Sequence, residues 1–116
     1  MVAGKDLTMA IRLAATQEFI GVVGLHSAED SLLETGLWIK LSAQRHGYGR
    51  EALSALLAWA ARRFRPSGFL YPVVDENSPS RGLAESLGGE VIGSRQRRKH
   101  GDVGRTLLHY RIPVPD

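Results

Sequence analysis

The hydrophobic pattern has helical spacing in one segment, residues 48–64. Its apolar side chains recur three or four positions apart, which places them on a single face of a helix. Three arginines crowd the last turn, where positive charge complements the helix dipole. Pro66 and Gly68 follow at once, and they predict the end of the helix. The face consists of Leu53, Leu56, Leu57, Ala60 and Phe64.

Ahead of this helix the pattern is that of strands. Residues 8–15 alternate loosely, 19–26 are β-branched and apolar, and 33–41 form a third such run. The short connections between them predict an antiparallel meander. A fourth strand is predicted over 69–74, although Pro72 cannot donate a ladder hydrogen bond. That proline indicates an edge, a bulge or a point where the strand parts from its neighbour.

The remaining residues predict a short helix and a closing hairpin. Ser80 is a candidate N-cap for a helix over 81–87, which Gly88 and Gly89 would end. Strands over 90–99 and 104–112 would flank a turn. The predicted order is β-β-β-α-β-α-β-β, an α/β or α+β domain with a mixed, mostly antiparallel sheet and helices packed on it.

Composition and charge narrow the class of protein only slightly. A length of 116 residues with 43% hydrophobic and 23% charged positions suits a single globular domain. The sequence has no cysteine, which excludes thiolate catalysis and thiolate metal sites. It has neither an apolar run of about 18 residues nor a signal-peptide layout, so we predict a cytoplasmic protein without a membrane partner. The net charge of +3 weakly favours an anionic partner.

The sequence "QRHGYGR" at positions 44–50 stands where a strand gives way to the long helix. A helix N-terminus has free backbone N–H groups and partial positive charge, and both favour an anion. Glycine allows close approach of the backbone, and basic neighbours strengthen the field. The stretch therefore has the composition of a phosphate cradle, although a plain turn remains an alternative. It matches neither the P-loop nor the dinucleotide fingerprint, because Gly-Lys-Ser/Thr is absent and Ala52 replaces the third glycine.

The spacing of this stretch is similar to Gln/Arg-x-x-Gly-x-Gly/Ala, a motif of the GNAT acetyltransferase superfamily. A second segment, "DENSPSRGLAESLGG" at 75–89, resembles that family's Asn-x-x-Ser motif and the leucine-glycine pair that follows it. The two motifs are in register over residues 18–112. Together with residues 19–26, Glu34, Gly36 and Trp38 resemble the branch that contains ribosomal-protein N-terminal acetyltransferases.

The resemblance implies an N-acetyltransferase that moves an acetyl group directly from acetyl-CoA to a primary amine, at a protein N-terminus or on a small molecule. It implies Glu34 as the base and Ser80 as the partner of the leaving thiol, because Ala84 stands where many relatives have a tyrosine. Asn77 would also contact the cofactor, as would the backbone of the strand from Leu37. The implied cofactor-binding residues are Trp38, Ile39, Lys40, Leu41, Arg45, His46, Gly47, Tyr48, Gly49, Arg50, Asn77 and Ser80.

The resemblance also implies what the chain lacks. Relatives begin with a strand and two helices that line the acceptor site, so residues 1–116 are expected to form a single domain without that segment. Its missing strand would leave a sheet edge that favours a homodimer. No metal site is expected, and no nucleic-acid partner is expected despite the basic strip at 95–100. The alternative function is a truncated or degenerate fold that binds CoA without catalysis and serves as an interaction module.

Overall fold

The computed structural model describes residues 6–28, 30–97 and 105–115. Within these ranges the chain forms a six-stranded sheet with two α-helices. The strands are β1 (Leu7–Arg12), β2 (Phe19–Ser27), β3 (Leu32–Ile39), β4 (Gly68–Val74), β5 (Glu90–Arg97) and β6 (Arg105–Ile112). The helices are α1 (Tyr48–Phe64) and α2 (Ser78–Ser86), and a 3-10 turn spans Leu41–Ala43.

The sheet consists of two antiparallel halves in the order β1-β2-β3 and β4-β6-β5. The halves meet where β3 and β4 run parallel, and this pairing covers Leu32–Glu34 against Gly68–Leu70 alone. Beyond Leu70, β4 stays paired with β6 but no longer with β3. Pro72 lies in the part of β4 that does not pair with β3, which confirms the prediction that its strand parts from a neighbour. The two strands therefore leave a gap in the middle of the sheet.

The hydrophobic core lies between the sheet and its helices. The apolar face of α1 contributes Leu53, Leu57 and Ala60, each no more than 2% exposed. The other members of the core cluster come from both halves of the sheet, from α2 and, in the case of Leu56, from α1; they are Val23, Leu25, Leu33, Leu56, Phe69, Tyr71, Val73, Ala84, Tyr110 and Ile112. Because side chains alternate along a strand, every second residue of each strand faces away from this core.

The predicted order of elements is confirmed, and α1 has the predicted bounds. The first strand is shorter than predicted, because the chain turns after Arg12 and Gln17 takes a left-handed conformation with φ of 63°. The third strand ends at Ile39 instead of residue 41, since Leu41 begins the 3-10 turn. The tip of the closing hairpin lies outside the described residues.

The predicted start of the second helix was wrong. The helix begins at Ser78, three residues early, and its N-cap is Asn77 instead of Ser80. The Asn77 Oδ1 accepts a hydrogen bond from the backbone N–H of Ser80 at 3.2 Å. Pro79 fits inside the first turn because a backbone N–H has no helical acceptor there. Ser80 is therefore a residue of the first turn, and its hydroxyl is not used for capping.

Candidate active site

The N-terminus of α1 has no side-chain cap. Its N-cap is Gly47, which has a φ of 79° and offers no side chain to the helix. The first intrahelical hydrogen bond runs from the Glu51 N–H to the Gly47 carbonyl at 3.1 Å. The N–H groups of Tyr48, Gly49 and Arg50 precede that bond, so they are available to a ligand. A helix end of this kind favours an anion through its dipole and its free donors.

Gly49 brings this helix end close to the last residues of β3. A Cβ atom built on Gly49 would lie 2.9 Å from Leu37 Cδ2 and 3.4 Å from Ile39 Cγ1. A side chain would therefore collide with the strand instead of extending into open space. Gly47 differs, since a Cβ there meets nothing within 4 Å, and its positive φ is what favours glycine.

The loop that leads into α1 is hydrogen-bonded to the end of β3. Gln44 donates from Nε2 to the Ile39 carbonyl at 2.9 Å, and Arg45 follows with a left-handed φ of 68°. The rings of His46 and Tyr48 stack with their centroids 5.4 Å apart. Arg45 and Arg50 are both exposed, so their charges face the solvent around the helix end. Gln44 is the first residue of the glycine motif, yet the sequence did not reveal this role for it.

A cleft of about 520 Å³ lies at the helix end, beside the part of β3 that no longer pairs with β4. Its walls come from the end of β3, the loop before α1 and one side of α2. Across it, Arg50 Nε donates to Ser86 Oγ at 3.2 Å, a link to α2 that the sequence did not indicate. The predicted site residues that line this cleft are Trp38, Ile39, Arg45, Gly47, Tyr48, Gly49, Arg50, Asn77 and Ser80.

Three other predicted cofactor residues do not line the cleft. Lys40 forms an ion pair with Glu18, and its N–H bonds to the Ile20 carbonyl at 2.8 Å. Leu41 is 84% exposed at the start of the 3-10 turn. His46 contributes its stacking on Tyr48 instead.

A tyrosine lies behind Ser80 at the strand gap. Tyr71 belongs to β4 one position beyond the last residue paired with β3, and it is only 2% exposed. The side chain of Ser80 lies near the Tyr71 phenol. Burial raises the pKa of Tyr71, and the neighbouring Ser80 hydroxyl lowers it to a smaller extent. The phenol therefore keeps its proton at neutral pH.

The other predicted catalytic residue, Glu34, lies in a different cavity. Glu34 is the last residue of β3 that pairs with β4, and it lines a concavity of about 1070 Å³. That concavity shares no lining residue with the cleft. His109 also lines it, and the His109 Nε2 is buried without a hydrogen-bond partner among the described residues. Glu34 and Ser80 thus lie in separate cavities that both adjoin the junction of β3 and β4.

No group of three or more histidine, aspartate or glutamate side chains in the described residues is arranged to hold a metal ion. None of the helices within the described ranges has the length and apolarity needed to cross a membrane.

The split sheet with a helix end at its gap is an acetyltransferase fold. A GNAT-family acetyltransferase from Bacillus anthracis superposes with a TM-score of 0.81 at 20% identity, covering 91% of this chain and 65% of that one. A spermidine N-acetyltransferase from Vibrio cholerae, solved as a dodecamer, gives 0.81 at 17% identity, covering 95% and 66%. A Vibrio cholerae protein provisionally named a ribosomal-protein-serine acetyltransferase gives 0.77 at 26% identity, covering 94% and 65%.

The sequence itself identifies the family. A family model described as an acetyltransferase (GNAT) domain matches residues 2–90, and the chain therefore belongs to the GNAT acetyltransferase family. No curated protein matches the sequence significantly. The chain spans 65–66% of the length of the three solved proteins.

Proposed function

We propose that this chain is an N-acetyltransferase that uses acetyl-CoA and acetylates a primary amine by direct transfer. The observation that carries the proposal is the cleft that the uncapped N-terminus of α1 and Ser80 share with the end of β3, beyond its pairing with β4. The family match supports the reaction class, whereas the acceptor amine, a protein N-terminus or a small amine, is inferred from the resemblance alone.

The residues present fit the anionic end of acetyl-CoA. Three free N–H groups at the start of α1 can donate to a pyrophosphate, and the dipole favours its charge. Arg45 and Arg50 add positive charge beside them, and Asn77 lies across the cleft. The close contact of Gly49 with Leu37 fixes these donors at the end of β3.

The strand gap fits the extended arm of the same molecule. Beyond Glu34, β3 has no partner on the side of β4, so its backbone on that side is free of ladder hydrogen bonds with β4. Backbone groups of this segment that face that side, such as the N–H of Ile39, can bond to amides of a bound ligand, whereas the Ile39 carbonyl already accepts from Gln44. Acetyl-CoA supplies the activated acetyl group as a thioester. Ser80 would donate a hydrogen bond to the sulfur that leaves.

The acceptor amine would approach from the concavity that holds Glu34. The carboxylate can take a proton from the amine directly or through a water molecule as the new N–C bond forms. In the net reaction the amine loses one proton and the departing sulfur gains one. This division places proton removal on one side of the gap and leaving-group stabilisation on the other.

Calorimetric titration with acetyl-CoA tests the proposal. We expect binding that Arg50→Glu weakens at least tenfold, because the change reverses a charge beside the free N–H groups. Arg62→Glu is the matched control, since it makes the same exchange at an exposed position near the other end of α1. A folded chain that does not bind acetyl-CoA would contradict the proposal. Equal weakening by both variants would indicate a diffuse charge effect instead of a site.

Gly49→Glu is a less suitable test variant than Arg50→Glu. The sequence favours it, because Gly49 belongs to the predicted phosphate cradle. The structure directs a side chain at this position into Leu37 and Ile39, so loss of binding would combine packing damage with charge repulsion. Arg50 is exposed, so its substitution changes the charge without overpacking, and within the described residues the one side-chain hydrogen bond it loses is that to Ser86.

The alternative is a CoA-binding module without catalysis. Gly89 stands where the family has a phenylalanine, and a Cβ there would lie 2.7 Å from the Ala84 carbonyl oxygen. The turn after α2 is thus closed to a large side chain, which is a departure from the family pattern. Binding of acetyl-CoA together with no transfer to any of a panel of amines would favour this alternative.

The proposed homodimer and the cytoplasmic location are separate predictions. Support for pairing comes from β1, an edge strand of the described sheet whose Leu7 and Met9 are partly exposed. Light scattering coupled to size-exclusion chromatography would give the mass, and a monomer at micromolar concentration would contradict the dimer. Fractionation of cells that express the chain would test the location.

A further inference from the structure

We propose that the acceptor is an amine that carries a carboxylate a few carbon atoms from its nitrogen, with the amine at Glu34 and the carboxylate at Arg95 and His109. The inference rests on the proposed function and deepens it, because it names the class of acceptor that the concavity selects. It follows from the way charge is distributed over the lining of the concavity.

The two halves of the sheet contribute opposite charge to the concavity. The β1-β2-β3 half supplies the carboxylates of Asp30 and Glu34, and the β4-β6-β5 half supplies Arg95 and His109. Within the described residues no ion pair involves Glu34 or Arg95, so both charges are available to a ligand. The lining therefore suits a molecule with a positive and a negative end.

The middle of the concavity is apolar and open. β4 contributes Leu70 and Pro72, which alternate along the strand with core residues and so face away from the helices. Gly36 of β3 also lines this part, and a Cβ built on it would meet nothing within 4 Å. A short hydrocarbon chain can therefore lie between the two charged ends.

His109 gives the independent sign of a ligand in the second half. Its Nε2 is buried and has no hydrogen-bond partner among the described residues. A buried ring nitrogen normally has a partner, because it is a donor or an acceptor in every protonation state. A ligand carboxylate can accept from this nitrogen when it carries a proton, and Arg95 in the same lining adds positive charge. The neighbouring Gln96 is already used, since its Nε2 donates to Thr106 Oγ1 at 3.0 Å.

Glu34 stands at the amine end, where the gap between β3 and β4 begins. Its cross-strand neighbour His26 is paired with Asp6, the two side chains being 3.1 Å apart, so Glu34 keeps its charge for the ligand. Two inter-strand spacings and two residues along the strand separate Glu34 from His109, which puts their Cα atoms roughly 12 Å apart. The two side chains shorten that span to the length of a small amino carboxylate.

Three amines with one six-carbon chain test the inference. They are ε-aminocaproate, hexamethylenediamine and hexylamine, which share the reacting primary amine and end in a carboxylate, an ammonium and a methyl group. Released CoA can be followed with a thiol reagent, because the chain has no cysteine. We expect kcat/KM for ε-aminocaproate to exceed that of the other two at least tenfold, since a hydrogen bond to a charged group contributes about that factor.

A pair of peptides distinguishes the two sources of such an acceptor. Alanyl-glutamate α-amide and alanyl-glutamine α-amide differ only in the charge of one side chain. A larger preference within this pair than within the three amines would identify an acidic protein N-terminus. The opposite result would identify a small amino carboxylate. No preference for a carboxylate in either series would overturn the inference.

The charge of Arg95 should set the preference. Arg95→Glu should reverse it in favour of hexamethylenediamine, because the second ammonium then meets a carboxylate. His109→Leu should lower kcat/KM for ε-aminocaproate at least threefold and leave that for hexylamine unchanged. Arg62→Glu is the matched control, since it makes the same charge exchange at an exposed position of α1 outside the concavity. An Arg95→Glu variant with the wild-type order of amines would contradict the inference.

Binding can also be measured without turnover. In nuclear magnetic resonance spectra, ε-aminocaproate should shift the ring signal of His109, which is assigned by its loss in His109→Leu. Hexylamine at the same concentration should shift it at least threefold less. The titration is made with CoA, which has no acetyl group to transfer, and again without it. Failure of acetyl-CoA to bind would overturn the proposed function. Binding of acetyl-CoA with equal rates for the three amines, or an unshifted His109 signal, would overturn this inference alone.

Discussion

Asn77 has two separable roles, as the cap of α2 and as a proposed cofactor contact, and substitutions can measure them independently. Asn77→Ala removes the acceptor of the Ser80 N–H while the rest of the first turn keeps its partners. The Ser78 N–H bonds to the Glu76 carbonyl at 3.0 Å, and the Arg81 N–H bonds to the Asn77 carbonyl at 3.0 Å. Pro79 has no N–H. One donor is therefore left without a protein partner.

The size of the loss follows from that count. Removal of a side-chain cap costs about 0.5–2 kcal/mol, and one exposed donor that water can reach belongs near the middle, about 1 kcal/mol. At about 2.1 cal/mol/K per residue, unfolding of 116 residues carries an entropy of about 0.24 kcal/mol/K. The Asn77→Ala variant should thus melt about 4 °C below the wild type.

Thermal unfolding followed by circular dichroism is the assay, with Asn77→Asp as the companion variant. Aspartate keeps an oxygen acceptor and is an equally good cap, so its melting temperature should stay within about 2 °C of the wild type. Its added negative charge at the cleft should nevertheless weaken acetyl-CoA binding. An unchanged melting temperature for Asn77→Ala would refute the cap. Equal losses of stability for both variants would show that the effect comes from something other than the lost acceptor.

Three further results are expected. Leu53→Ala should lose about 2–5 kcal/mol in a denaturant titration because Leu53 is fully buried, whereas Leu41→Ala, at 84% exposure, should change by less than about 0.5 kcal/mol. Gly49→Ala should destabilise the chain by about 1 kcal/mol, because the added methyl group overpacks against β3. Gly82→Ala should stabilise it by about 0.5–1 kcal/mol, because a Cβ at this position in α2 meets no atom within 4 Å. The reverse order of stabilities would contradict the contact at Gly49. Burial raises the pKa of Tyr71, so the tyrosine of the unfolded chain ionises at a lower pH than that of the folded chain. The stability that this difference contributes is present below about pH 10 and is lost as the pH rises above it. Tyr71→Phe should reduce this alkaline loss of stability, and identical pH–stability profiles for the variant and the wild type would contradict the prediction.

The sequence predicts α1 well because its boundaries coincide with strong local signals. Gly47 precedes the helix with a positive φ, and Arg65 closes it in a left-handed conformation just before Pro66. The start of α2 was missed because Ser78 and Pro79 also suit a turn. Asn77 and Ser80 are both suitable N-cap residues, and the helix uses the earlier one, whose Oδ1 accepts from the Ser80 N–H three residues along the chain.

In the candidate site, the sequence predicts the features that are set by neighbouring residues but not the contacts between separate elements. The glycine motif predicts the helix end and its neighbours, since that geometry is set within a few residues. The Arg50–Ser86 bond has no sequence signal, because it joins separate elements. Glu34 was predicted as the base by its position in the strand, and that role stays a prediction; its side chain lines the cavity on the other side of the junction from Ser80.

The three-pair junction between β3 and β4 also has a consequence for the dynamics of the sheet. Each half has its own antiparallel ladder, so most of its amide protons are protected within that half. Amides in native proteins exchange through local openings that involve cooperative units. The two halves should therefore exchange with solvent as two such units, and the amides at Leu32–Glu34 and Gly68–Leu70 should report their separation.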